Sequence, residues 1–171
     1  MFKFFSKLFG TKSERDLKDT SPYVGKINAE FERLNALSND ELRAQSNGLK
    51  ELIQNGLKSI DEQISALRQK AENEEDVDQK ENIFKQIDAL ELERNKELEK
   101  ILMDILPLAF AIVKETARRF KENDAIEVTA NIFDRELATK KSHITISGDK
   151  ALWSTTWNVI GHPIKWEMVH Y

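Results

Sequence analysis

The first pattern of hydrophobic and polar positions is a helical stripe at the start of the chain. Four large apolar side chains share one face of this predicted helix: Phe2, Phe5, Leu8 and Phe9. Lys3 and Lys7 fall on the opposite face, which makes the element amphipathic. Gly10 ends it, and residues 11–24 are predicted to be a linker because they contain Ser21-Pro22.

The next segment, residues 25–56, has the pattern of two helices. Ile27, Phe31 and Leu34 recur at steps of four and three residues, as on one face of a helix. In the stretch LSNDEL, Ser38 can cap the amides of a first helical turn and Glu41 can reach back to it. The following helix carries four apolar positions: Leu42, Leu49, Leu52 and Ile53. We expect it to end at Gly56, at the C′ position where glycine is favoured.

From residue 57 the apolar steps alternate between three and four, as in a coiled coil. The first series is Leu57, Ile60, Ile64, Leu67 and Ala71. After the polar break ENEEDVDQKEN, the second series is Ile83, Ile87, Leu90, Leu98, Ile101 and Leu102. Two helices joined by a polar turn predict an antiparallel hairpin that is about 30 Å long at about 1.5 Å per residue.

The spacing then changes from that of a helix to that of strands. The stretch DILPLAFAIVKETARRF predicts a deeply buried helix, with Pro107 in its first turn and Phe110 and Val113 among its apolar positions. From about residue 125 the stretches HITIS, ALWSTTWNV and IKWEMV alternate, and Gly148-Asp149 marks a hairpin turn. The segment TANIFDRELA is also compatible with a helix.

These patterns together predict an α+β fold. It is mostly helical, with a long antiparallel coiled helical hairpin and a small antiparallel β region near the C-terminus. The predicted divisions are a tail with its linker (1–24), a helical pair (25–56), a coiled helical hairpin (57–102), a buried helix (103–122) and a β-rich region (123–171).

Composition and charge narrow the classes of function. The chain has no cysteine, which excludes disulfides and thiolate metal sites and favours a reducing compartment. Its net charge of −4 argues against nucleic-acid binding. No apolar run is long enough to span a bilayer, and the lysines at the start do not fit a signal peptide, so we expect a cytoplasmic protein.

Motifs for catalysis are not found in these residues. The only Gly-Lys pair, Gly25-Lys26, has no glycine five residues before it, so it does not form a phosphate-binding loop. The acidic run that starts at Glu74 lacks the ligands and the glycine of a calcium loop. His143, His162 and His170 lack the spacing of metal ligands. We therefore expect neither a metal site nor catalysis from this chain alone.

The amphipathic start is the strongest binding feature. Each large apolar side chain that it buries would contribute about 1.5–3 kcal/mol, and each basic residue near an anionic membrane about 1 kcal/mol. These amounts would support reversible membrane binding. The same face could instead pack on the protein itself.

Several stretches, in order, resemble the beginning of the SecA family of motor ATPases. FFSKLFGTKSERDLK resembles the family's short first helix and basic linker. INAEFERLNALSNDELRAQSNGLKELIQNG is similar to the next helical pair, and ILPLAFAIVKETARRF is similar to a LIPEAFAVVREAxxR helix. WEMVHY resembles the family stretch that leads into an Asp-Val-Gln segment and then the phosphate-binding loop. Residues 57–100 and 121–165 have no counterpart in shorter members and are interpreted as insertions. By the resemblance, the β-rich insertion leads into a nucleotide-binding domain that is truncated at Tyr171.

The resemblance implies a function for the intact protein. It would use ATP and Mg²⁺ to drive unfolded preproteins through a membrane secretion channel, at the inner face of the membrane. Phe2, Lys3, Phe5, Lys7, Leu8 and Phe9 would contact acidic phospholipids and the channel. Met168 and Tyr171 would flank the adenine, although Glu167 stands where a glycine is common.

By the same resemblance, we expect the chain to continue beyond Tyr171, and residues 1–171 alone to bind no nucleotide and hydrolyse no ATP. A homodimer through the apolar face of residues 107–120 is possible. The alternative hypothesis is a stand-alone coiled-coil adaptor with a membrane-touching amphipathic tail.

Overall fold

A computed structural model describes residues 12–165, and within them the chain forms four helices and five strands. The helices are α1 (Lys12–Leu34), α2 (Asn39–Asn73), α3 (Val77–Glu122) and α4 (Ile132–Ala138). The strands are β1 (Ala125–Thr129), β2 (Ile144–Ser147), β3 (Lys150–Ser154), β4 (Thr156–Val159) and β5 (His162–Lys165). Helix α4 lies between β1 and β2 along the chain. The predicted α+β class, with its long helical hairpin and small β region, is confirmed.

The described chain divides into two compact units. The hairpin unit is Gln45–Leu106, and the main unit comprises residues 12–44 and 107–165. Within the main unit, residues 124–165 are called the β module below. It contains all five strands and α4.

The hairpin unit is held by the predicted coiled seam. Ile64, Ala71, Ile83 and Ile87 are its buried residues, and Ile60, Leu67 and Leu90 pack beside them half-buried. Two ion pairs cross between the helices at the surface, Arg68 with Glu91 at 2.7 Å and Arg94 with Asp61 at 2.5 Å. Exposed ion pairs contribute little, so the apolar seam supplies most of the stability of the hairpin.

Helix α2 does not end at Gly56, as the sequence predicted, but continues to Asn73. A Cβ atom at this glycine would stand 2.4 Å from the Cδ1 atom of Ile101. The glycine therefore leaves room for the end of the Ile101 side chain of α3. The prediction was wrong because, in the sequence alone, a glycine that packing requires looks the same as a glycine that ends a helix.

Two prolines lie inside helices. Pro107 is buried within α3 and does not start it, because the apolar pattern continues on both sides and packing outweighs the cost of about 3 kcal/mol for an internal proline. Pro22 lies within α1, where a linker had been predicted. The carbonyl of Lys18 loses its helical donor there, but Lys18 is exposed and water can replace that donor.

The core of the main unit forms where α1 meets α3. Leu34, Ala111, Ile112 and Ala117 are buried. Phe110 and Val113, however, are 58% and 54% exposed. The prediction of a deeply buried helix is therefore correct for one face of this part of α3 and wrong for these two residues.

The β module contains two separate antiparallel sheets. The first has the strand order β1-β3-β2, and Ile126, Val128 and Ala151 are buried on one of its faces. The second is the hairpin of β4 and β5. Gly148 begins the predicted two-residue turn between β2 and β3, with φ of 60°. The helical alternative for TANIFDRELA is confirmed by α4.

The predicted strand ALWSTTWNV is in fact two strands, and the break falls at Thr155. This threonine is buried, and its hydroxyl donates to the carbonyl oxygens of residues 123 and 124. The predicted strand IKWEMV begins as part of β5, and its residues from Trp166 onward lie outside the described residues.

Candidate functional site

The residues predicted to contact membrane or nucleotide all lie outside the described residues. They are Phe2, Lys3, Phe5, Lys7, Leu8, Phe9, Met168 and Tyr171. Their roles therefore stay predictions. No helix of the described chain is both long enough and apolar enough to cross a membrane.

ATP and Mg²⁺ would need a loop of free backbone amides for the phosphates and a group of acidic side chains for the metal. Gly25-Lys26 lies inside α1, so its backbone amides belong to a helix and do not line a loop. Within residues 12–165, no three acidic or histidine side chains are grouped to hold a metal ion. The imidazole of His143 packs instead beside the ring of Trp157, with centroids 5.9 Å apart. The described part of the chain does not fit the phosphates of ATP or their metal.

The polar centre of the main unit surrounds the first turns of α2. The predicted capping box is confirmed: the backbone N–H of Glu41 donates to Ser38 Oγ at 3.2 Å, and the backbone N–H of Ser38 donates to Glu41 Oε2 at 2.7 Å. The hydrogen bonds from Ser38 lower the pKa of Glu41. This box fixes where α2 begins and so orients the side chains that follow it.

Arg119, a buried side chain of α3, ties the end of α1 to the start of α2. Its guanidinium donates to the carbonyl oxygens of Leu34 at 3.3 Å and Leu37 at 2.7 Å, and to Asn39 Oδ1 at 2.8 Å. It also donates to Glu115 Oε1 at 2.7 Å. One arginine thus links two carbonyl groups of the α1–α2 turn to the first residue of α2.

Glu115 is wholly buried, and its charge is balanced by two arginines. Arg118 donates to both of its oxygens at 2.8 Å and 2.7 Å, in addition to the bond from Arg119. Burial alone would raise the pKa of Glu115, but the hydrogen bonds from Arg118 and Arg119 outweigh it and the pKa is lowered. The carboxylate is therefore kept ionised as part of the fold.

A second buried carboxylate, Asp134, joins α2 to the β module. Arg43 donates to both of its oxygens, through Nη1 at 2.8 Å and through Nη2. The backbone N–H of Asn131 at 2.9 Å and Trp153 Nε1 at 3.2 Å also donate to it. Burial would raise the pKa of Asp134, yet the bonds from Arg43 and Asn131 hold it below its ordinary value of 3.8.

The start of α2 also occupies the outer edge of β1. Asn39 Nδ2 donates to the carbonyl of Glu127 at 3.0 Å, and Arg43 Nη1 donates to the carbonyl of Thr129 at 3.2 Å. Asp40 accepts from the backbone N–H of Thr129 at 2.8 Å and from its hydroxyl at 2.7 Å, which lowers the pKa of Asp40. These side chains take the places that another strand would otherwise fill.

Taken together, these contacts form an anchoring site. Among the described residues, no buried side-chain nitrogen or oxygen lacks a hydrogen-bond partner. The paired carboxylates are held in the charged form, whereas a general acid needs a raised pKa. The arrangement fixes the β module and the α1–α2 turn to one another, and its two buried carboxylates do not have the raised pKa of a general acid.

Sequence reasoning missed most of this site. The signal for Glu115 and Arg119 was present, because they continue the buried stripe of Ile112 at steps of three and four. Two opposite charges on a predicted apolar face indicate a buried ion pair. Arg43 and Asp134 gave no such signal, because they are 91 positions apart in the sequence.

The comparison with known families defines the class of this chain. The family described as the SecA DEAD-like domain matches residues 5–133, which is most of the chain. No solved structure matches it.

Curated relatives identify the particular protein family. The chain is 50% identical over 173 residues to the protein translocase subunit SecA of Amoebophilus asiaticus, which covers 100% of this chain and 16% of that protein. It is 49% identical to the SecA subunit of Cytophaga hutchinsonii, with the same coverage. For Bacteroides fragilis SecA the identity is 46% over 169 residues, 99% of this chain and 15% of that protein. The chain belongs to the SecA family and corresponds to the amino-terminal region of the translocase subunit.

Two features of these alignments bear on the predictions. The chain spans about 16% of the length of the relatives. The two segments interpreted as insertions, 57–100 and 121–165, lie within alignments that cover the whole chain. These relatives therefore share both segments.

The anchoring role of Asp134 is testable. Replacing Asp134→Asn leaves Arg43 without its buried counter-charge, and we expect the free energy of unfolding of the main unit to fall by about 3 kcal/mol at pH 7. The pKa of Asp134 is lowered by folding, so its stabilisation is present above pH 3.8 and is lost as the pH falls through the folded-state pKa. Urea unfolding between pH 7 and pH 3 should show a weaker pH dependence in the variant.

The control for this measurement is Asp19→Asn, an exposed aspartate on α1 in the same unit. It should leave both the stability and its pH dependence close to those of the unchanged chain. Equal effects of the two substitutions would contradict the anchoring role.

Proposed function

We propose that this chain is the amino-terminal part of a translocase subunit that couples ATP hydrolysis to the export of unfolded preproteins through a membrane secretion channel. The observation that carries the proposal is the similarity over the whole chain to SecA subunits, at up to 50% identity. The chain spans about 16% of those proteins, so the complete activity belongs to the complete subunit.

Within that subunit, the described residues serve as a scaffold. Their buried ion pairs fix helices and sheet rigidly, and they hold no group that fits the phosphates of ATP. ATP and Mg²⁺ are bound by the full-length subunit and not by residues 1–171 alone. The motif that would hold the phosphates does not occur in these residues.

The predicted tail serves as the membrane contact. Phe2, Phe5, Leu8 and Phe9 would enter an acidic phospholipid surface, with Lys3 and Lys7 near its headgroups. Residues 1–18 contain five basic and two acidic residues, and this excess of positive charge supports contact with an acidic surface. The subunit would then be cytoplasmic and associate peripherally with the inner face of the membrane.

The predicted nucleotide contact follows the β module. Met168 and Tyr171 would flank the adenine, a role that rests on the resemblance of WEMVHY to the corresponding SecA stretch. They follow β5 closely in the sequence, so the β module is connected along the chain to the proposed nucleotide contact.

Partners follow from the same proposal. The channel, acidic phospholipids and unfolded preproteins are the expected contacts, and nucleic acid is not. The exposed residues Phe110 and Val113 offer an apolar surface for another part of the subunit or for a second copy. The alternative of a stand-alone adaptor is disfavoured by the whole-chain similarity to translocase subunits.

The enzymatic part of the proposal is tested by ATPase assays on two proteins. The full-length subunit should hydrolyse ATP in the presence of Mg²⁺. Residues 1–171 should give no phosphate release above a buffer blank, because their sequence contains no phosphate-binding loop motif. Turnover by residues 1–171 that survives repurification would overturn this assignment. An inactive, folded full-length subunit would overturn the translocase proposal itself.

The membrane contact is tested with sedimentation of the full-length subunit on vesicles of an acidic phospholipid at low salt. Phe5→Ser should lower the partition coefficient onto the vesicles about tenfold, because burying one large apolar side chain contributes about 1.5–3 kcal/mol to binding. The matched control is Phe84→Ser, at a half-exposed phenylalanine of the hairpin unit. Equal binding by the two variants and the unchanged protein would rule out the tail as the anchor.

A further inference from the structure

The turn between β4 and β5 carries an unusual residue at its tip. Val159 pairs with His162 across these two strands, which are called the ribbon below, so Ile160 and Gly161 form a two-residue turn. Their φ angles are positive, 51° and 80°. Such turns favour asparagine or glycine at the first position. Isoleucine is disfavoured there because it is branched at Cβ, and within residues 12–165 it is the only residue other than glycine with a positive φ.

The side chain of Ile160 is unfavourably placed for a second reason. It is 95% exposed, the largest exposed fraction among the large apolar residues of the described chain. The backbone conformation and the exposure each cost free energy, and at this exposure contacts within the described chain recover little of either cost. A disfavoured backbone conformation at an exposed apolar residue indicates a role in binding rather than in folding of the ribbon.

The ribbon that presents Ile160 is also poorly covered. All four side chains of β5 are exposed, including the apolar Ile164. At the base of the ribbon, the ring of Trp157 lies beside His143, with centroids 5.9 Å apart. A ribbon of two strands is marginally stable at best unless another strand or a helix packs on it. Its exposed apolar residues therefore indicate a surface that is covered in the complete protein.

The charges of the ribbon indicate what kind of surface covers it. Residues 156–164 contain no acidic residue, no lysine and no arginine. Lys165, the one lysine of the ribbon, is paired with Asp124 at 3.2 Å. Binding to an acidic phospholipid surface depends on basic residues near the headgroups, and this ribbon does not offer a cluster of them. An uncharged, apolar tip fits an apolar pocket of a protein better.

The length of the relatives indicates which protein supplies that pocket. The chain covers 16% of the SecA subunits that it matches, so most of each subunit lies outside it. The ribbon is also close in sequence to the end of the chain, because β5 ends at Lys165. A segment tethered nearby in the same polypeptide has a far higher effective concentration than a separate partner.

We propose that the ribbon docks on the remainder of the same subunit and that Ile160 enters an apolar pocket there. This rests on the function proposed above, in which the chain is the amino-terminal part of a longer SecA subunit. Burial of the side chain in that pocket offsets the cost of its backbone conformation and of its exposure. The ribbon thereby fastens the β module to the body of the subunit.

The experiment measures thiol labelling in the full-length subunit. Residues 1–171 contain no cysteine, so Ile160→Cys introduces a single thiol in this region. The matched control is Asp149→Cys, in the exposed β2–β3 turn. A maleimide is added, and labelling at each position is followed by mass spectrometry. We expect labelling at residue 160 to be about tenfold slower than at residue 149 in the folded subunit, and the two rates to agree in urea.

A second variant, Ile160→Asn, separates a docked tip from a solvated one. Asparagine suits the left-handed backbone, so it should slow amide hydrogen exchange in the ribbon if the tip faces water. If the tip is docked, loss of the apolar side chain should accelerate exchange in residues 156–165 about tenfold. Ile132→Asn, at an exposed isoleucine of α4, should leave exchange in the ribbon unchanged.

Equal labelling of the two thiols in the folded subunit, or no acceleration of exchange in Ile160→Asn, would overturn the proposal. Slow labelling at residue 160 that requires vesicles of acidic phospholipid would overturn it in favour of a lipid contact. Slow labelling that requires high protein concentration would overturn it in favour of a second copy. Neither measurement depends on ATP, so a folded subunit that hydrolyses no ATP would count against the proposed function alone.

Discussion

The architecture of the main unit depends on two carboxylates that have no access to water. Glu115 and Asp134 are wholly buried, and a buried charge is tolerated only when partners in the protein neutralise it. Asp134 takes its partner from a distant element, because Arg43 reaches α4 from α2. Glu115 is neutralised within α3 by Arg118 and Arg119, and Arg119 also reaches the α1–α2 turn. The ion pairs that neutralise these two carboxylates therefore also fix how the helices and the sheet of the main unit are arranged.

The same contacts explain why α2 can carry two roles. Its first turns close the outer edge of β1 through Asn39, Asp40 and Arg43, and its later turns continue into the coiled seam of the hairpin unit. An open strand edge invites pairing with other chains, so its occupation protects the β module. The chain is proposed to carry a nucleotide contact directly after β5. A rigid β module would hold that contact in a fixed position.

Local patterns in the sequence predicted the local structure well. The heptad steps gave the hairpin, Ser38 and Glu41 gave the start of α2, and Gly148-Asp149 gave the β2–β3 turn. The errors at Gly56, Pro22 and Pro107 share a cause: glycine and proline locally indicate a helix boundary or a linker, and packing or solvent access overrides that indication. The contacts of the anchoring site that join separate elements were beyond prediction, because those of Arg119 with Asn39 and of Arg43 with Asp134 link residues 80 and 91 positions apart.

Amide hydrogen exchange on Arg119→Met tests the central claim most directly, with exposed Arg33→Met as its control. The account predicts that exchange accelerates about tenfold or more in the last turn of α1 and the first turn of α2, because their carbonyl and side-chain partners are lost. Amides at Ile64 and Ile87 in the hairpin unit should keep their rates. Unchanged exchange around residues 34–42, or the same acceleration in both units, would contradict the claim that the buried charges organise the main unit.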